Sequence, residues 1–330
     1  MHPAGFVLLI LAALALILLI RSEWEKKHLK TEYYTIKSSK IRIGTRFIFI
    51  SDMHSMEFGE DNEDLISEIR SLEPDCILIG GDMMTCGKIH EEPPRTSACI
   101  HLCEELSEHY PVFYAEGNHE VRFRRRFPED FQIFMEHLKQ NSALEYLSND
   151  MEPFEKEAEL IDERDEFRIY GISLPEDYYA PQKPGFGNRK EMPEGFIRDS
   201  LGHTMRSEKG SREDSLPSKD RFLDGSYFNI LLLHSPLYLK EASASGADLV
   251  LSGHFHGGTI RLPILGGLMT PQLQFFVREC AGEFSEGSTR MIVNRGLGTH
   301  SVRIRLNDRP EISVIDVIPK GDSIAEPERD

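Results

Sequence analysis

The 330-residue sequence is poor in positive charge, in cysteine and in tryptophan. It has 38 Lys and Arg residues against 55 Asp and Glu residues, which gives a formal net charge of −17. This balance argues against broad nucleic-acid binding, because phosphate backbones select for basic surfaces, and no nucleic-acid partner is expected. An anionic substrate is still compatible with it, since a metal ion or a local basic patch can override the overall sign.

The small, odd number of cysteines argues against a disulfide framework in a chain of this length. Cys99 and Cys103 are four positions apart and could share a helix face, but no second Cys/His pair lies close by to complete a metal site. The favoured interpretation is buried thiols with no role in chemistry. The five cysteines are Cys76, Cys86, Cys99, Cys103 and Cys280.

Long hydrophobic runs are also scarce, and the one that stands out is Ala4–Ile20. Its length is at the short end of what crosses a bilayer as a helix. No basic residue precedes it and no small-residue cleavage site follows it, so it is interpreted as an uncleaved membrane anchor over residues 1–21. Its basic flank is on the C-terminal side, which by the positive-inside rule predicts a single-pass cell-membrane protein with a cytoplasmic catalytic domain. The flanking cations are Arg21, Lys26, Lys27 and Lys30.

After a polar juxtamembrane linker over residues 22–40, the pattern predicts one α/β domain over residues 41–319 and a polar tail over 320–330. Strands and helices alternate in the first half, and the strand-rich end predicts a second sheet packed on the first. Residues 175–221 have little apolar periodicity and read as an insertion, either a functional lid or a disordered loop. The predicted strands are 41–50, 76–80, 111–115, 167–172, 228–233, 249–251, 291–294, 301–306 and 312–318, and the predicted helices are 64–72, 97–106 and 131–138.

Five of the predicted strands end in residues that can bind a metal. An Asp or Asn at a strand end is usually a turn or cap residue, and a lone histidine is usually structural, so each position alone is weak evidence. The whole set is stronger evidence for a metal site than any single position, because ligand-binding groups in open α/β sheets gather at the carboxyl ends of strands. Carboxylate, amide and imidazole groups together suit divalent ions. The residues are Asp52, His54, Asp82, Asn118, His119, His234, His254 and His256.

The order of these blocks resembles the calcineurin-like metallophosphoesterases. D-x-H, GD, GNHE, a lone His and GHxH follow one another between Phe47 and Arg261. The resemblance implies an α/β fold in which two packed mixed β-sheets are flanked by helices, a four-layer sandwich with a two-metal site at the strand ends. The segments GHFHGGTIRLP and NRGLG are similar to a bacterial, membrane-associated branch that includes UDP-2,3-diacylglucosamine hydrolases and phosphodiesterases.

The resemblance also implies a role for each residue of the set. Asp52, His54 and His256 are expected to hold one divalent ion. Asn118, His234 and His254 are expected to hold the other, with Asp82 between the two. Mn²⁺ is the ion expected first, with Fe²⁺, Zn²⁺ or Mg²⁺ as alternatives. His119 is expected to be catalytic, by stabilising or protonating the leaving oxygen, and not to bind metal.

The expected function is hydrolysis of a phosphodiester or diphosphate bond in a lipid-linked or nucleotide-linked substrate. A catalytically silent scaffold and a protein phosphatase are the alternatives; the scaffold is disfavoured because the whole residue set is present. The run VRFRRRF follows GNHE directly, and Arg124, Arg125 and Arg126 could dock a diphosphate or an anionic membrane surface. A solvated surface with no such role explains the same run equally well. The sequence does not indicate an oligomeric state.

Overall fold

The computed structural model describes residues 3–87, 92–157, 164–179, 189–202, 222–262, 266–270, 275–299 and 303–321. The helices, in chain order, are α1 (Pro3–Lys26), α2 (Glu63–Ser71), α3 (Ser97–Ser107), α4 (Asn118–Arg126), α5 (Pro128–Leu138), α6 (Phe196–Leu201) and α7 (Leu239–Ser245). The strands are β1 (Lys30–Ser38), β2 (Thr45–Ile50), β3 (Cys76–Ile79), β4 (Val112–Ala115), β5 (Leu144–Leu147), β6 (Asp150–Glu157), β7 (Arg164–Ile172), β8 (Phe228–Leu233), β9 (Leu249–Ser252), β10 (Arg261–Leu262), β11 (Gly266–Gly267), β12 (Gly282–Glu286), β13 (Thr289–Val293) and β14 (Glu311–Pro319).

Two six-stranded mixed sheets form the centre of the fold. The first has the order β1-β14-β2-β3-β4-β5, and its strands β2 to β5 are all parallel. The second has the order β12-β13-β9-β8-β7-β6, with β13, β9, β8 and β7 parallel. The parallel runs are buried on both faces, which explains why their sequences are almost continuously apolar.

Alternation along the strands separates the layers, as β2 illustrates. Phe47 and Phe49 point into the space between the two sheets, where the ring of Phe47 lies 5.1 Å from the ring of Phe167 on β7. Ile48 and Ile50 point the other way and pack with the apolar residues of α2, α3 and α5. On the outer face of the second sheet, α6 and α7 contribute to a third core. The predicted four-layer α/β sandwich is therefore confirmed.

The predicted linker 22–40 is wrong for its second half, because Lys30–Ser38 is strand β1. It pairs in parallel with β14 over its whole length. As an edge strand it has one buried hydrophobic residue, Ile36, and charged or half-exposed residues at most other positions. Charged side chains are common on edge strands, and they hid the period-two pattern in the sequence.

The predicted strand 301–306 is also wrong over the residues that the structure describes. Arg303–Leu306 contains no strand; Leu306 makes only an isolated bridge to Ile260. The side chains alternate in this segment because Arg305 is buried, and its guanidinium group donates to backbone carbonyl oxygens. The alternation does not mark the face of a sheet.

The described parts of the predicted insertion 175–221 pack on the second sheet. Tyr178, Ile197 and Leu201 are buried in the same core as β8. Residues 180–188 and 203–221, which include Phe186, lie outside the described residues, and so does the predicted tail from residue 322 onward.

Helix α1 is long and apolar enough to cross a membrane, and none of its apolar window is buried. By length and composition it fits either a membrane anchor or a signal sequence. It continues beyond the predicted anchor, and its last turn, at Lys26, lies close to β1.

Candidate metal centre

The eight predicted site residues are all buried, and they meet where the carboxyl ends of the parallel strands of both sheets converge. Asp52 and Asp82 follow β2 and β3, and Asn118 and His119 begin α4 just after β4. His234 directly follows β8, and His254 and His256 follow β9.

One group of possible ligands consists of Asp52, His54 and His256. One ligand atom from each lies within 4.8 Å of the others. His256 Nε2 is 3.3 Å from Asp52 Oδ1 and 3.1 Å from His54 Nε2. Two imidazole nitrogens and a carboxylate oxygen at these separations form one half of a metal-binding cage.

A second group consists of Asp82, His234 and His254, and one ligand atom from each again lies within 4.8 Å of the others. His234 Nε2 lies 3.1 Å from Asp82 Oδ2 and 3.7 Å from Asp52 Oδ1. A third grouping, His54 with Asp82 and His119, bridges the first two. The two groups are therefore neighbours, and Asp82 lies between them.

The backbone reaches this arrangement through left-handed conformations. His254 and His256 have φ angles of 70° and 48°, so the backbone leaves the extended conformation directly after β9. Non-glycine residues rarely adopt positive φ, and such strain tends to cluster at functional sites. Gly253 is required by close approach, since a Cβ there would lie 2.1 Å from Asp52 Oδ2. The other site residues with positive φ are Asp52, His54 and Asp82.

Backbone carbonyls fix two of the imidazole rings. His234 Nδ1 lies 2.7 Å from the Gly80 carbonyl oxygen, and His256 Nδ1 lies 3.2 Å from that of Gly298. A carbonyl only accepts, so each Nδ1 carries the proton and each Nε2 presents its lone pair to the centre. This is the usual outer-shell arrangement of a metal-binding histidine.

His119 has the opposite arrangement. The backbone N–H of Cys86 donates to its Nδ1 at 2.8 Å, so the proton of the neutral ring is on Nε2. The backbone N–H of His119 in turn donates to Asp82 Oδ1 at 2.7 Å. His119 thus presents a donor to the centre, where His234 and His256 present acceptors.

The buried carboxylates of the centre need a nearby positive charge. Burial raises the pKa of Asp52 to about 6. Burial lowers the pKa of His234, but the negative charges of Asp82 and Asp52 outweigh it and raise the value to about 10. Burial opposes the ionised form of Asp82, yet its interactions with the neighbouring histidines, His234 first and His119 second, hold its pKa well below the usual range. Two buried carboxylates this close together need a positive charge beside them, which divalent ions bound by these residues would supply.

One orphaned atom fits the same conclusion. Asn118 Oδ1 is buried and has no hydrogen-bond partner in the described part of the chain, which is unusual for a buried acceptor. Asn118 is the first residue of α4 and directly precedes His119, whose backbone N–H donates to Asp82 Oδ1. Oxygen and imidazole nitrogen donors in this number suit two divalent ions such as Mn²⁺, Fe²⁺ or Zn²⁺, so the residues present fit a dinuclear centre.

Sequence reasoning did not single out Glu120, which organises the loops around the centre. Its fully buried carboxylate accepts hydrogen bonds from the backbone N–H groups of Asp82, Met83 and Gly117 and from the hydroxyl of Tyr114. Burial and the neighbouring charge of Asp82 raise the pKa of Glu120 to about 7. The GNHE block contained this signal, because a Glu at the third helical position can reach back to the residues before the helix.

Arg305 is a second residue that the sequence did not identify. Its buried guanidinium group donates to the carbonyl oxygen of Gly298 at 2.5 Å, the same oxygen that receives His256 Nδ1. It also bonds to the carbonyl of Gly296 at 2.9 Å. Arg305 therefore holds the backbone that orients a possible metal ligand.

The arginine run on α4 is engaged with protein groups. Arg124 lies 3.2 Å from the buried carboxylate of Glu116, and Arg125 lies 2.7 Å from Glu176. Arg126 donates to the Gly87 carbonyl. These contacts give all three a structural partner, and their predicted role in substrate docking remains a prediction.

Tyr179, in the described part of the insertion, lies against the histidines. Its ring centroid is 4.9 Å from that of His254 and 5.7 Å from that of His234. Its hydroxyl is buried and has no hydrogen-bond partner among the residues that the structure describes. Burial and the negative charges of Asp82 and Glu116 raise the pKa of Tyr179 well above its usual value.

The five cysteines are not among the possible ligands of the centre. All five are buried and free of disulfides, as predicted. Cys86 contributes only its backbone N–H, to His119.

Comparison with known sequences gives one family and several bacterial relatives. The profile of the calcineurin-like phosphoesterases matches residues 45–258, the part of the chain that carries all eight site residues. The phosphodiesterase YaeI of Escherichia coli (strain K12) is 25% identical over 277 residues, which covers 83% of this chain and 82% of that protein. YkuE of Bacillus subtilis (strain 168), described as an uncharacterized metallophosphoesterase, is 40% identical over 92 residues, 28% of this chain and 32% of that protein.

Among solved structures, TT1561 of Thermus thermophilus aligns over 77% of this chain and 91% of its own, with 12% identity and a TM-score of 0.42.

Proposed function

Since the chain belongs to the calcineurin-like phosphoesterase family and is a metal-dependent phosphoester hydrolase, we propose that it is a membrane-anchored phosphodiesterase. Its substrate is a phosphodiester or a diphosphate in a lipid-linked or nucleotide-linked molecule. The observation that carries the proposal is the pair of adjoining ligand groups at the carboxyl ends of both sheets.

In this proposal Asp52, His54 and His256 hold one ion. The second ion is held by Asn118, His234 and His254, and Asp82 is shared. The shared role of Asp82 is supported by its grouping with His54 as well as with His234 and His254. The role of Asn118 is supported by its buried oxygen, which has no hydrogen-bond partner among the described residues. When bound, two divalent ions activate water at neutral pH and neutralise the charge of the phosphoryl oxygens.

The protein residues orient the ligand rings and protonate the leaving oxygen. Gly80 and Gly298 keep the rings of His234 and His256 in their ligand tautomer through their carbonyl groups. His119 donates its Nε2 proton to the oxygen that leaves phosphorus, since the Cys86 amide occupies its other nitrogen. The buried setting excludes bulk water and strengthens each of these interactions.

The preference for a membrane-associated substrate is supported by where α1 ends. Ser22 Oγ accepts the backbone N–H of Arg305 at 3.0 Å, and Glu25 Oε2 accepts that of Asp308 at 3.0 Å. Arg305 bonds to the carbonyl that holds His256. The C-terminal end of the apolar helix is thus linked to a proposed metal ligand through three successive hydrogen bonds, from Ser22 to Arg305, from Arg305 to the Gly298 carbonyl, and from that carbonyl to His256. An anchored enzyme would therefore work close to the bilayer.

A diester preference is supported by the similarity to YaeI, a protein named as a phosphodiesterase. A protein phosphatase and a silent scaffold remain the competing functions. The scaffold is disfavoured by the complete set of buried ligand groups, which a protein without catalysis would have no need to keep.

A substrate panel tests the proposal on the full chain in detergent. With Mn²⁺ we expect turnover of a chromogenic diester and of a UDP-linked lipid diphosphate to exceed that of a chromogenic monoester and of a phosphopeptide, and chelation should stop all of them. An Asp82→Asn preparation made in parallel detects contaminating hydrolases. Fastest turnover of the phosphopeptide would favour a protein phosphatase, and two bound ions without any turnover would favour a scaffold.

We also propose that the domain is cytoplasmic, because the basic residues flank the C-terminal side of the apolar helix. Protease added to intact cells should leave the domain whole, whereas protease added after lysis should degrade it. Degradation in intact cells would place the catalytic domain on the outer face.

A further inference from the structure

We propose that the hydroxyl of Tyr179 donates a hydrogen bond to a phosphoryl oxygen of the substrate. This inference rests on the proposed function, because it places the phosphate at the dinuclear centre. It assigns a catalytic role to a residue of the segment that the sequence analysis described as an insertion, either a functional lid or a disordered loop.

The first observation is the orphaned hydroxyl. Tyr179 has only 8% of its surface exposed, and within the described part of the chain its hydroxyl oxygen has no hydrogen-bond partner. A buried polar group without a partner is costly, and the cost disappears if a ligand supplies the partner. A phenol has a usual pKa of about 10, so this group carries its proton at neutral pH and can donate it in a hydrogen bond.

The second observation is the place of the ring. Tyr179 lies against His254 and His234, both proposed ligands of the same ion. Asn118 Oδ1, another buried atom without a hydrogen-bond partner among the described residues, belongs to the same proposed ligand set. An oxygen acceptor bound to that ion would therefore be brought next to the Tyr179 side chain.

The third observation is that the segment is held in place. Tyr178, the preceding residue, packs on Tyr238, with ring centroids 5.7 Å apart, and the Tyr238 hydroxyl donates to the Tyr178 carbonyl at 3.1 Å. Arg122 and Arg125 of α4 both pair with Glu176, three residues before Tyr179. These contacts hold the residues that directly precede Tyr179 in the chain, which a preorganised donor needs.

The roles proposed for the other residues of the centre are compatible with this additional donor. In the proposed centre the ligand residues would hold the ions that bind the phosphate, and His119 would act as the donor at the leaving oxygen. A neutral hydroxyl aimed at a phosphoryl oxygen adds stabilisation where negative charge is held during the displacement. Because that charge is shared with the ions, the bond is expected to matter more to kcat than to KM.

Tyr179→Phe tests the inference, since it removes the hydroxyl and keeps the ring on His254. With Mn²⁺ and a chromogenic diester, kcat should fall about ten- to a hundredfold, the effect of one lost hydrogen bond to a charged group. The inhibition constant of inorganic phosphate should rise. Bound metal should stay at the wild-type amount, and the melting temperature should be unchanged or higher, because a buried unpartnered group is removed.

Tyr178→Phe is the matched control, the same change one residue away on a ring that packs on Tyr238 and Phe196. It should leave kcat and phosphate inhibition at wild-type values. Tyr179→Phe with wild-type kcat and phosphate inhibition would overturn the inference and leave the proposed function intact. A wild-type protein that turns over no phosphoester would instead contradict the proposed function itself. A loss of bound metal in Tyr179→Phe would also overturn the inference, because Tyr179 would then support the ligands.

Discussion

Asp82→Asn should abolish nearly all phosphoesterase activity and reduce the amount of bound metal. The substitution keeps an oxygen that can accept the His119 backbone N–H, so the local fold should persist. It removes the negative charge between the two ligand groups, and with it the attraction that holds two cations close together. Loss of a single neutral donor from an oxyanion hole costs about 10²–10³ in rate, and we expect loss of the shared carboxylate to cost more than that.

The measurement is kcat/KM on a chromogenic diester together with metal content by elemental analysis. Asp75→Asn is the control, because Asp75 precedes the same strand, β3, at its other end and pairs with Lys156 at 2.6 Å. It should keep wild-type activity and metal. If the Asp82→Asn protein hydrolysed the diester at the wild-type rate, or if the wild-type protein did so after thorough chelation, the two-metal assignment would be wrong.

The site was predictable because its residues follow strand ends. Each strand is a short apolar run, and each ends in Asp, Asn or His, so the sequence shows both the sheet and the edge at which the groups meet. The order of the motifs along the sequence also indicated the family. The four-layer fold could be predicted for the same reason, since alternating strands and helices leave a clear pattern of burial.

The supporting residues could not be predicted in this way. Arg305 acts through carbonyl oxygens of a loop, and a bond from a guanidinium to backbone leaves no periodic pattern in the sequence. Tyr179 reaches the centre by packing within an insertion of low apolar content. Strand β1 is an edge strand with a single buried hydrophobic residue, so its pairing with β14 depends on a contact between the two ends of the chain.

The predicted roles of His119 and His256 can be separated by one pair of substitutions. His256→Ala removes a proposed ligand and should reduce both metal content and activity. His119→Ala should leave metal content unchanged and lower kcat by about 10²–10⁴, the usual contribution of a positioned acid or base. His137→Ala, an exposed histidine on α5, is the control and should change neither.

The leaving group gives the second measurement for His119. An alkoxide needs a proton far more than p-nitrophenolate does, so loss of an acid should slow an alkyl ester more than a p-nitrophenyl ester. The Cys86 amide blocks the other nitrogen of His119, so the proton that it transfers is the one on Nε2. Equal loss of metal in His119→Ala and His256→Ala would mean that His119 is a ligand, as its grouping with His54 and Asp82 would also allow. Unchanged metal with equal slowing of both esters would instead assign His119 to stabilising charge on the phosphoryl group, with no proton transferred to the leaving oxygen.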